Sequence, residues 1–288
     1  MNDTSSSLVP VTRVGSATDP VLVVFHGTPG SAGELVWWSE AAVRYGVQLI
    51  CVERAAIPID LQGAHYFAAL AQAVVKACRA GPSAQPLHLA GFSLGGFVAL
   101  QTALALQAQG QPVQGLHLIS AAAPLQGGDF LPHMAGQAVF RMAADRPALL
   151  RRVTALQAWL ARVRPALLRR LLFASARASD RVLRDLPSFQ VTVQGVLADA
   201  LGRGRDGYLR DLVAYVQPWC ALVADLETPS WVWHGDQDNW SPPAMAHWMH
   251  AHLPHASGLQ MWADQSHYGC LLRSVDPVCA VVAGNATV

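Results

Sequence analysis

The sequence contains few charged residues, and their charges nearly cancel. Charged residues make up 14% of the 288 residues, and the formal net charge is +1. No overall positive field is present to attract nucleic acid, so we expect no nucleic-acid partner. The hydrophobic fraction of 52% is large enough for a substantial core and argues against disorder. This length allows one large α/β domain with an insertion.

The sequence also lacks the segments that mark export or membrane insertion. No run of 18 or more apolar residues occurs, so no transmembrane helix is expected. The N-terminal residues have neither a basic start nor an apolar stretch long enough for a signal peptide. The cysteines are odd in number and form no C-x-x-C pair, so we interpret them as reduced. They are Cys51, Cys78, Cys220, Cys270 and Cys279. These absences predict a cytoplasmic protein.

A metal or cofactor site is not predicted. Four histidines cluster on one predicted helix and its end: His247, His250, His252 and His255. They cannot all face one point, and neither Cys nor Asp completes a ligand set. We interpret them as a solvated helix face and expect neither a metal nor another cofactor.

Short apolar runs alternate with helical patterns at both ends of the sequence. Strands are predicted at 21–25, 48–52, 87–90, 116–120, 231–233 and 259–262. Helices are predicted near 33–45, 64–80, 94–108, 242–253 and 269–283, and an edge strand before residue 20. This alternation predicts an α/β fold with a mostly parallel central sheet and helices on both faces.

A mostly helical pattern interrupts this alternation at residues 124–215. It predicts a core of residues 1–123 and 216–288, with 124–215 inserted as a cap or lid over the carboxyl ends of the strands. Pro165 is expected to end or kink a helix there. Residues 141–184 contain eleven arginines, two aspartates and no lysine, a net charge of +9 in a chain otherwise at −8. We interpret these arginines as a solvated surface; the alternatives are sites for an anionic substrate, an acidic carrier protein or a membrane surface.

The strongest motif is GFSLGG, residues 91–96, which lies between a predicted strand and a predicted helix. This context is typical of a nucleophile elbow, in which a serine occupies a sharp, strained turn. Such a turn requires neighbours without bulky side chains, which explains the glycines. The N-terminus of the following helix stabilises developing negative charge. We therefore predict that Ser93 is a nucleophile.

A second motif, HGTPGS at residues 26–31, directly follows a predicted strand. An acyl-transfer enzyme needs two N–H donors where the oxyanion forms. The residue after the nucleophile, Leu94, supplies one of them. We assign the other to Thr28, because Pro29 has no N–H.

Two later segments offer an acid and a base. Residues 233–242, WHGDQDNWSP, contain Asp236 and Asp238, and either carboxylate could fix the tautomer of a histidine. His267 follows the last predicted strand and is placed to accept and return the serine proton.

Together these motifs resemble the α/β-hydrolase-fold serine hydrolases, in the esterase- and lipase-like branch with an inserted helical cap. The first motif is similar to the family's elbow and the second to its oxyanion loop. HGDQDNWSP resembles the family pattern H-G-x-x-D-x-x-x-P, which places the acid on Asp238. The order Ser, Asp, His also matches. Ser266 stands where the family usually has glycine, and residues 53–56 (ERAA) depart from its usual loop, so inherited substrate assignments do not transfer.

This resemblance implies hydrolysis of an ester or related acyl bond through an acyl-enzyme intermediate. The expected partner is a small acyl compound, anionic if the arginines face the entrance. An apolar acyl pocket is expected to be lined by Trp37, Trp38 and Trp240. The fold also supports acyl transfer, hydrolysis of thioester, amide or C–C bonds, and cofactor-free perhydrolase chemistry. A non-catalytic binding protein on this scaffold is another alternative, which the intact triad disfavours.

Overall fold

Seven strands form one sheet in a computed structural model of the chain, which describes residues 9–79, 86–111 and 113–285. Their order is β1-β3-β2-β4-β5-β6-β7, and only β1 runs antiparallel to its neighbour. The bounds are β1 Val11–Val14, β2 Val21–Phe25, β3 Gln48–Val52, β4 Leu87–Phe92, β5 Gly115–Ile119, β6 Ser230–Gly235 and β7 Ala256–Trp262. The predicted parallel sheet and its edge strand are both confirmed.

Five helices cover the two faces of this sheet. They are α1 (Ser39–Tyr45), α2 (Gly63–Cys78), α3 (Leu94–Ala108), α10 (Pro243–His252) and α11 (His267–Val282). The helix expected near 33–45 is divided, because a 3-10 turn, Ala32–Trp37, precedes α1. The remaining four predicted helices agree with the structure within a few residues.

Each of the inner strands buries both of its faces. In β2, Val21 and Val23 pack into a core with α2, α3 and α10, whereas Leu22 and Val24 pack into another core with α1 and α11. Because successive side chains on a strand point to opposite faces, a strand covered on both sides must be apolar throughout. This requirement explains the short, continuous apolar runs of the sequence.

Six helices lie between β5 and β6, and we call them the helical insert. They are α4 (Gln137–Asp145), α5 (Pro147–Val163), α6 (Pro165–Leu172), α7 (Ala178–Leu183), α8 (Pro187–Leu201) and α9 (Arg205–Tyr215). Pro165 begins α6 directly after α5 ends, as its missing N–H predicts. The insert contacts the segments that follow β2, β3 and β7, so it lies at the carboxyl end of the sheet. Among the helices of the described residues, none has the length and hydropathy that crossing a membrane requires.

Candidate active site

Ser93 occupies the sharp turn between β4 and α3. Its backbone angles are φ 57° and ψ −128°, a conformation that costs a non-glycine residue about 1–3 kcal/mol. The Ser93 N–H donates to the Ile119 carbonyl at 2.9 Å, which ties the turn to β5. A Cβ on Gly95 would collide with the carbonyl oxygens of Phe25 and His26. The glycine at this position therefore lets the start of α3 approach the end of β2.

His267 is the first residue of α11, and Asp238 lies in the loop after β6. The His267 Nδ1 lies 2.7 Å from Asp238 Oδ2, and both side chains are buried. The other oxygen, Oδ1, accepts hydrogen bonds from the backbone N–H groups of Trp240 and Ser241 at 2.8 and 3.0 Å. Burial alone would raise the pKa of Asp238, but the charge and hydrogen bond of His267 hold this pKa below its ordinary value. Asp238 is thereby kept as a carboxylate.

The competing carboxyl group, Asp236, is exposed to solvent. Its backbone N–H donates a hydrogen bond to the Trp262 carbonyl at 3.1 Å. Of the two candidate acids, the structure therefore places Asp238, not Asp236, against His267. Because Asp238 occupies Nδ1, His267 has Nε2 left to exchange a proton with another group.

Two small, adjoining chambers lie beside Ser93 and the Thr28 loop. The chambers have volumes of about 40 and 60 Å³, and Ser93 and Thr28 line both of them. His267 and Trp37 line the first chamber, and Leu94 lines the second. Other apolar side chains complete the walls, among them Phe92, Phe173, Val193, Leu197, Tyr268, Met134, Val139, Phe140 and Leu212. Among the described residues that line the two chambers there is no Asp, Glu, Lys or Arg.

Two of the three expected pocket tryptophans reach this cavity. Trp37 lines the first chamber, and Trp240 lines both. Trp38 is 1% exposed and packs into the core with α1 and α11 instead. Consecutive residues on a helical turn point about 100–120° apart, and here Trp37 faces the chamber while Trp38 faces the core. Trp38 is therefore not part of the pocket.

The loop with Thr28 is held from one side by Arg54, which lies just after the end of β3. The Arg54 guanidinium donates to the carbonyls of His26 and Gly27 at 2.9 and 3.1 Å and to Thr28 Oγ1 at 2.9 Å. Its Nε forms a buried ion pair with Asp211 of α9 at 2.7 Å. In the sequence this segment is visible only as a departure from the family pattern, and the role of Arg54 was not predicted.

The ion pair belongs to a larger buried network between α2, α9 and the loop after β3. The hydroxyl of Tyr66 donates to Asp211 Oδ1 at 3.1 Å. Arg210 lies 3.8 Å above the Tyr66 ring and donates to the Arg54 carbonyl at 2.6 Å. The helical insert therefore contributes directly to the position of the Thr28 loop.

Glu34 holds the same loop from the other side. The Gly27 N–H donates to Glu34 Oε2 at 3.0 Å, and the side chain is buried. Burial raises the pKa of Glu34 to about 7, although the Gly27 N–H and the Arg54 charge oppose this rise. A buried glutamate on a short 3-10 turn has no signature in the sequence, and its role was not predicted.

The start of α11, which carries His267, is capped by two residues of α7. Asp180 accepts hydrogen bonds from the N–H groups of Tyr268 and Gly269 at 3.2 and 2.9 Å. Ser179 Oγ accepts one from the Ser266 N–H at 2.9 Å. Burial raises the pKa of Asp180, while the two N–H groups act in the opposite direction. These residues satisfy backbone donors at the first turn of α11.

The arginines of residues 141–184 lie outside the cavity, since none of the eleven lines either chamber. Arg169 is buried and donates to the Arg184 carbonyl at 3.0 Å, while most of the others are exposed.

The four clustered histidines lie on or just after α10. Within the described residues, no group of three His, Cys, Asp or Glu side chains is arranged to hold a metal ion. All five cysteines are free thiols.

Comparison with known proteins points to one fold. Residues 20–159 match the family model of the thioesterase domain, and a search of curated proteins gives no match. A bromoperoxidase from Bacillus anthracis is 17% identical, with 95% of this chain and 94% of that chain covered and a TM-score of 0.65. An esterase from Rhodococcus sp. ECU1013 is 17% identical, with 96% of this chain and 94% of the esterase covered and a TM-score of 0.62. An α/β-hydrolase-fold protein from Nakamurella multipartita is 19% identical over 96% and 94%, with a TM-score of 0.63. The chain is an α/β-hydrolase-fold protein.

Proposed function

We propose that the protein is a serine hydrolase that cleaves an ester or a related acyl bond. The observation that carries this proposal is the buried 2.7 Å contact between His267 Nδ1 and Asp238 Oδ2, beside a cavity that Ser93 also lines. A serine on a strained turn, a histidine and a buried carboxylate are the groups that acyl transfer through a covalent intermediate requires.

In the proposed mechanism, Ser93 Oγ attacks the carbonyl carbon while His267 Nε2 takes its proton. Asp238 orients the imidazole and stabilises its protonated form. The N–H groups of Thr28 and Leu94 hold the oxyanion, and Leu94 is well placed because the first N–H groups of a helix have no intrahelical partner. His267 then returns the proton to the leaving group. Water activated by His267 releases the acid, and no cofactor takes part.

The cavity walls support a neutral, apolar substrate. Ser93 lies between two apolar chambers, so one can take the acyl group and the other the leaving group. A charged group in either chamber would lose its hydration without gaining a counter-ion. We therefore assign the arginines of residues 141–184 no role in substrate binding. Residues 124–215 serve as the cap on a core of residues 1–123 and 216–288.

Thioester hydrolysis is a second candidate, favoured by the match of residues 20–159 to the thioesterase domain model. The same residues would act in the same roles, because a thioester and an ester share the tetrahedral oxyanion intermediate. A panel of p-nitrophenyl esters and acyl thioesters with matched acyl chains distinguishes the two candidates through their kcat/KM values.

A fluorophosphonate probe tests the nucleophile. We expect it to label the wild-type chain and not Ser93→Ala, and we expect this variant to lose roughly 10⁴–10⁶ in turnover. Asp236→Asn, which changes an exposed carboxyl group, is the matched control and should be labelled normally. Labelling that persists in Ser93→Ala would place the nucleophile elsewhere.

A further inference from the structure

The helical insert carries most of the large apolar side chains that the described residues expose. Nine of the thirteen large hydrophobic side chains that the described residues expose lie within 149–191. Leu156 is 56% exposed, Trp159 54% and Leu171 58%. Isolated exposed leucines are ordinary on protein surfaces, but a concentration of this kind marks an interaction site.

Six of these nine side chains lie along α5 and α6. Leu149, Leu156 and Val163 are seven residues apart, so they lie on the same side of α5. Trp159 lies next to them on that side, and Leu167 and Leu171 continue the apolar surface along α6. We call the surface formed by these six residues the α5–α6 face.

Positive charge surrounds the α5–α6 face. Residues 146–179 contain eight arginines and no aspartate, glutamate or lysine. Seven of the eight are exposed, the exception being Arg169. Those on α5, α6 and the residue between them are Arg151, Arg152, Arg162, Arg164 and Arg170. The α5–α6 face is therefore complementary to a surface that is negatively charged and also offers an apolar phase.

The same two helices form part of the cavity wall on their other side. Gln157 of α5 lines the second chamber, and Leu172 of α6 lines both chambers. Their neighbours Leu156 and Leu171 point to solvent. Two helices thus separate the α5–α6 face from the candidate active site.

We propose that the α5–α6 face binds the surface of an anionic lipid bilayer. Trp159 and the aliphatic side chains insert at the boundary between headgroups and acyl chains, and the arginines bind lipid phosphates with their planar, bidentate guanidinium groups. A soluble acidic partner would be attracted by the arginines but would not account for six exposed apolar side chains. This binding is independent of the proposed hydrolysis, since no residue of the face is assigned to catalysis.

Co-sedimentation of the full chain with vesicles tests the proposal, using vesicles of phosphatidylcholine alone and of phosphatidylcholine mixed with phosphatidylglycerol. We expect binding to the mixed vesicles only, weakening as salt rises. The triple variant Arg151→Gln, Arg152→Gln, Arg162→Gln should bind about fivefold more weakly per arginine, on the order of 100-fold in total. The double variant Leu156→Ser, Trp159→Ser should lose about tenfold or more at unchanged charge.

Matched controls lie on the other part of the molecule. Lys76→Gln with Arg79→Gln removes two exposed charges at the end of α2, outside the α5–α6 face, and Val43→Ser removes a side chain that is 73% exposed. Both should bind like the wild type. Absence of binding to the mixed vesicles at low salt would overturn the proposal. A second result would also overturn the proposal: polyglutamate abolishes binding to the vesicles, and the Leu156→Ser, Trp159→Ser variant still binds like the wild type. This result would indicate an acidic protein partner. Ser93→Ala should bind normally whether or not the proposed hydrolysis is correct.

Discussion

The strand ends and the helical insert contribute to the cavity in different ways. At the strand ends, Ser93, Asp238 and His267 lie in or just after short loops that follow β4, β6 and β7. The position of each residue is set by the turn that directly follows its strand. The insert contributes through buried carboxylates that act on distant segments: Asp211 pairs with Arg54, and Asp180 caps α11. The three candidate catalytic residues thus come from the strand ends, whereas two of the buried carboxylates that support the site, Asp180 and Asp211, come from the insert.

We expect the largest loss of turnover from a substitution at the strand ends. Asp238→Asn preserves the shape of the side chain but favours the wrong tautomer of His267, so we expect turnover to fall by about 10⁴ while the fold is retained. Steady-state kinetics and thermal unfolding measure the two quantities. Asp236→Asn is the control and should change turnover little. A larger loss from Asp236→Asn than from Asp238→Asn would reverse the assignment of the acid.

Breaking the ion pair between Arg54 and Asp211 tests the link between the two sides. Asp211→Leu leaves the Arg54 charge buried and unpaired, and we expect the free energy of unfolding to fall by about 3–5 kcal/mol. Adding Arg54→Met removes that charge and should restore most of the stability. Turnover should stay low in the double variant, because the Thr28 loop has lost its hydrogen bonds to Arg54. Full recovery of turnover together with stability would limit the pair to a structural role.

We expect the titration of Glu34, which lies just after β2, to make the free energy of unfolding depend on pH. Burial raises the pKa of Glu34 from its ordinary value of 4.5 to about 7, so near neutral pH the folded protein keeps a proton that the unfolded chain has lost. Its contribution to stability is complete below pH 4.5 and is lost as pH rises through about 7, a decrease of roughly 3 kcal/mol.

Denaturant unfolding measures this decrease as the difference between the wild type and Glu34→Gln. The variant carries no titrating group at residue 34 and retains an oxygen for the Gly27 N–H. A difference that is constant from about pH 4 to about pH 8 would show that Glu34 titrates normally.

The smallest effect on stability is expected at Asp180. Asp180→Ala removes a cap from α11, at a cost of about 1–2 kcal/mol. Because His267 begins this helix, kcat should also fall, by about tenfold to 100-fold, with little change in KM. Asp180→Asn keeps one acceptor and should recover part of the loss. The exposed Asp185 provides the control. A decrease in stability with unchanged kcat would show that α7 does not position His267.

The strand-end side could be predicted well from the sequence because its signals are local. Continuous apolar runs indicate strands buried on both faces, and glycines around Ser93 indicate a tight turn. The contribution of the insert could not be predicted, because it depends on residue pairs that are far apart in sequence, such as Arg54 with Asp211. In the sequence alone, such charged residues resemble ordinary surface residues. Glu34 is another example, since a glutamate in the first turn of a predicted helix usually faces solvent. Trp38 was predicted wrongly for a different reason. It was placed in the pocket because it is adjacent to Trp37 and is also a tryptophan, but its side chain faces the core.

The two attachments of the insert also determine how the protein can admit a substrate. The chambers of about 40 and 60 Å³ are far smaller than ordinary ligand pockets, so a large substrate could enter them only if they enlarged. Asp180 anchors α7 and Asp211 anchors α9, and both lie outside α5 and α6. Movement of these two helices about the break before α5 and the segment between α6 and α7 would enlarge the cavity without uncapping α11 or releasing the Thr28 loop. The contact between His267 and Asp238 and the support of the Thr28 loop would then be retained while the two helices move.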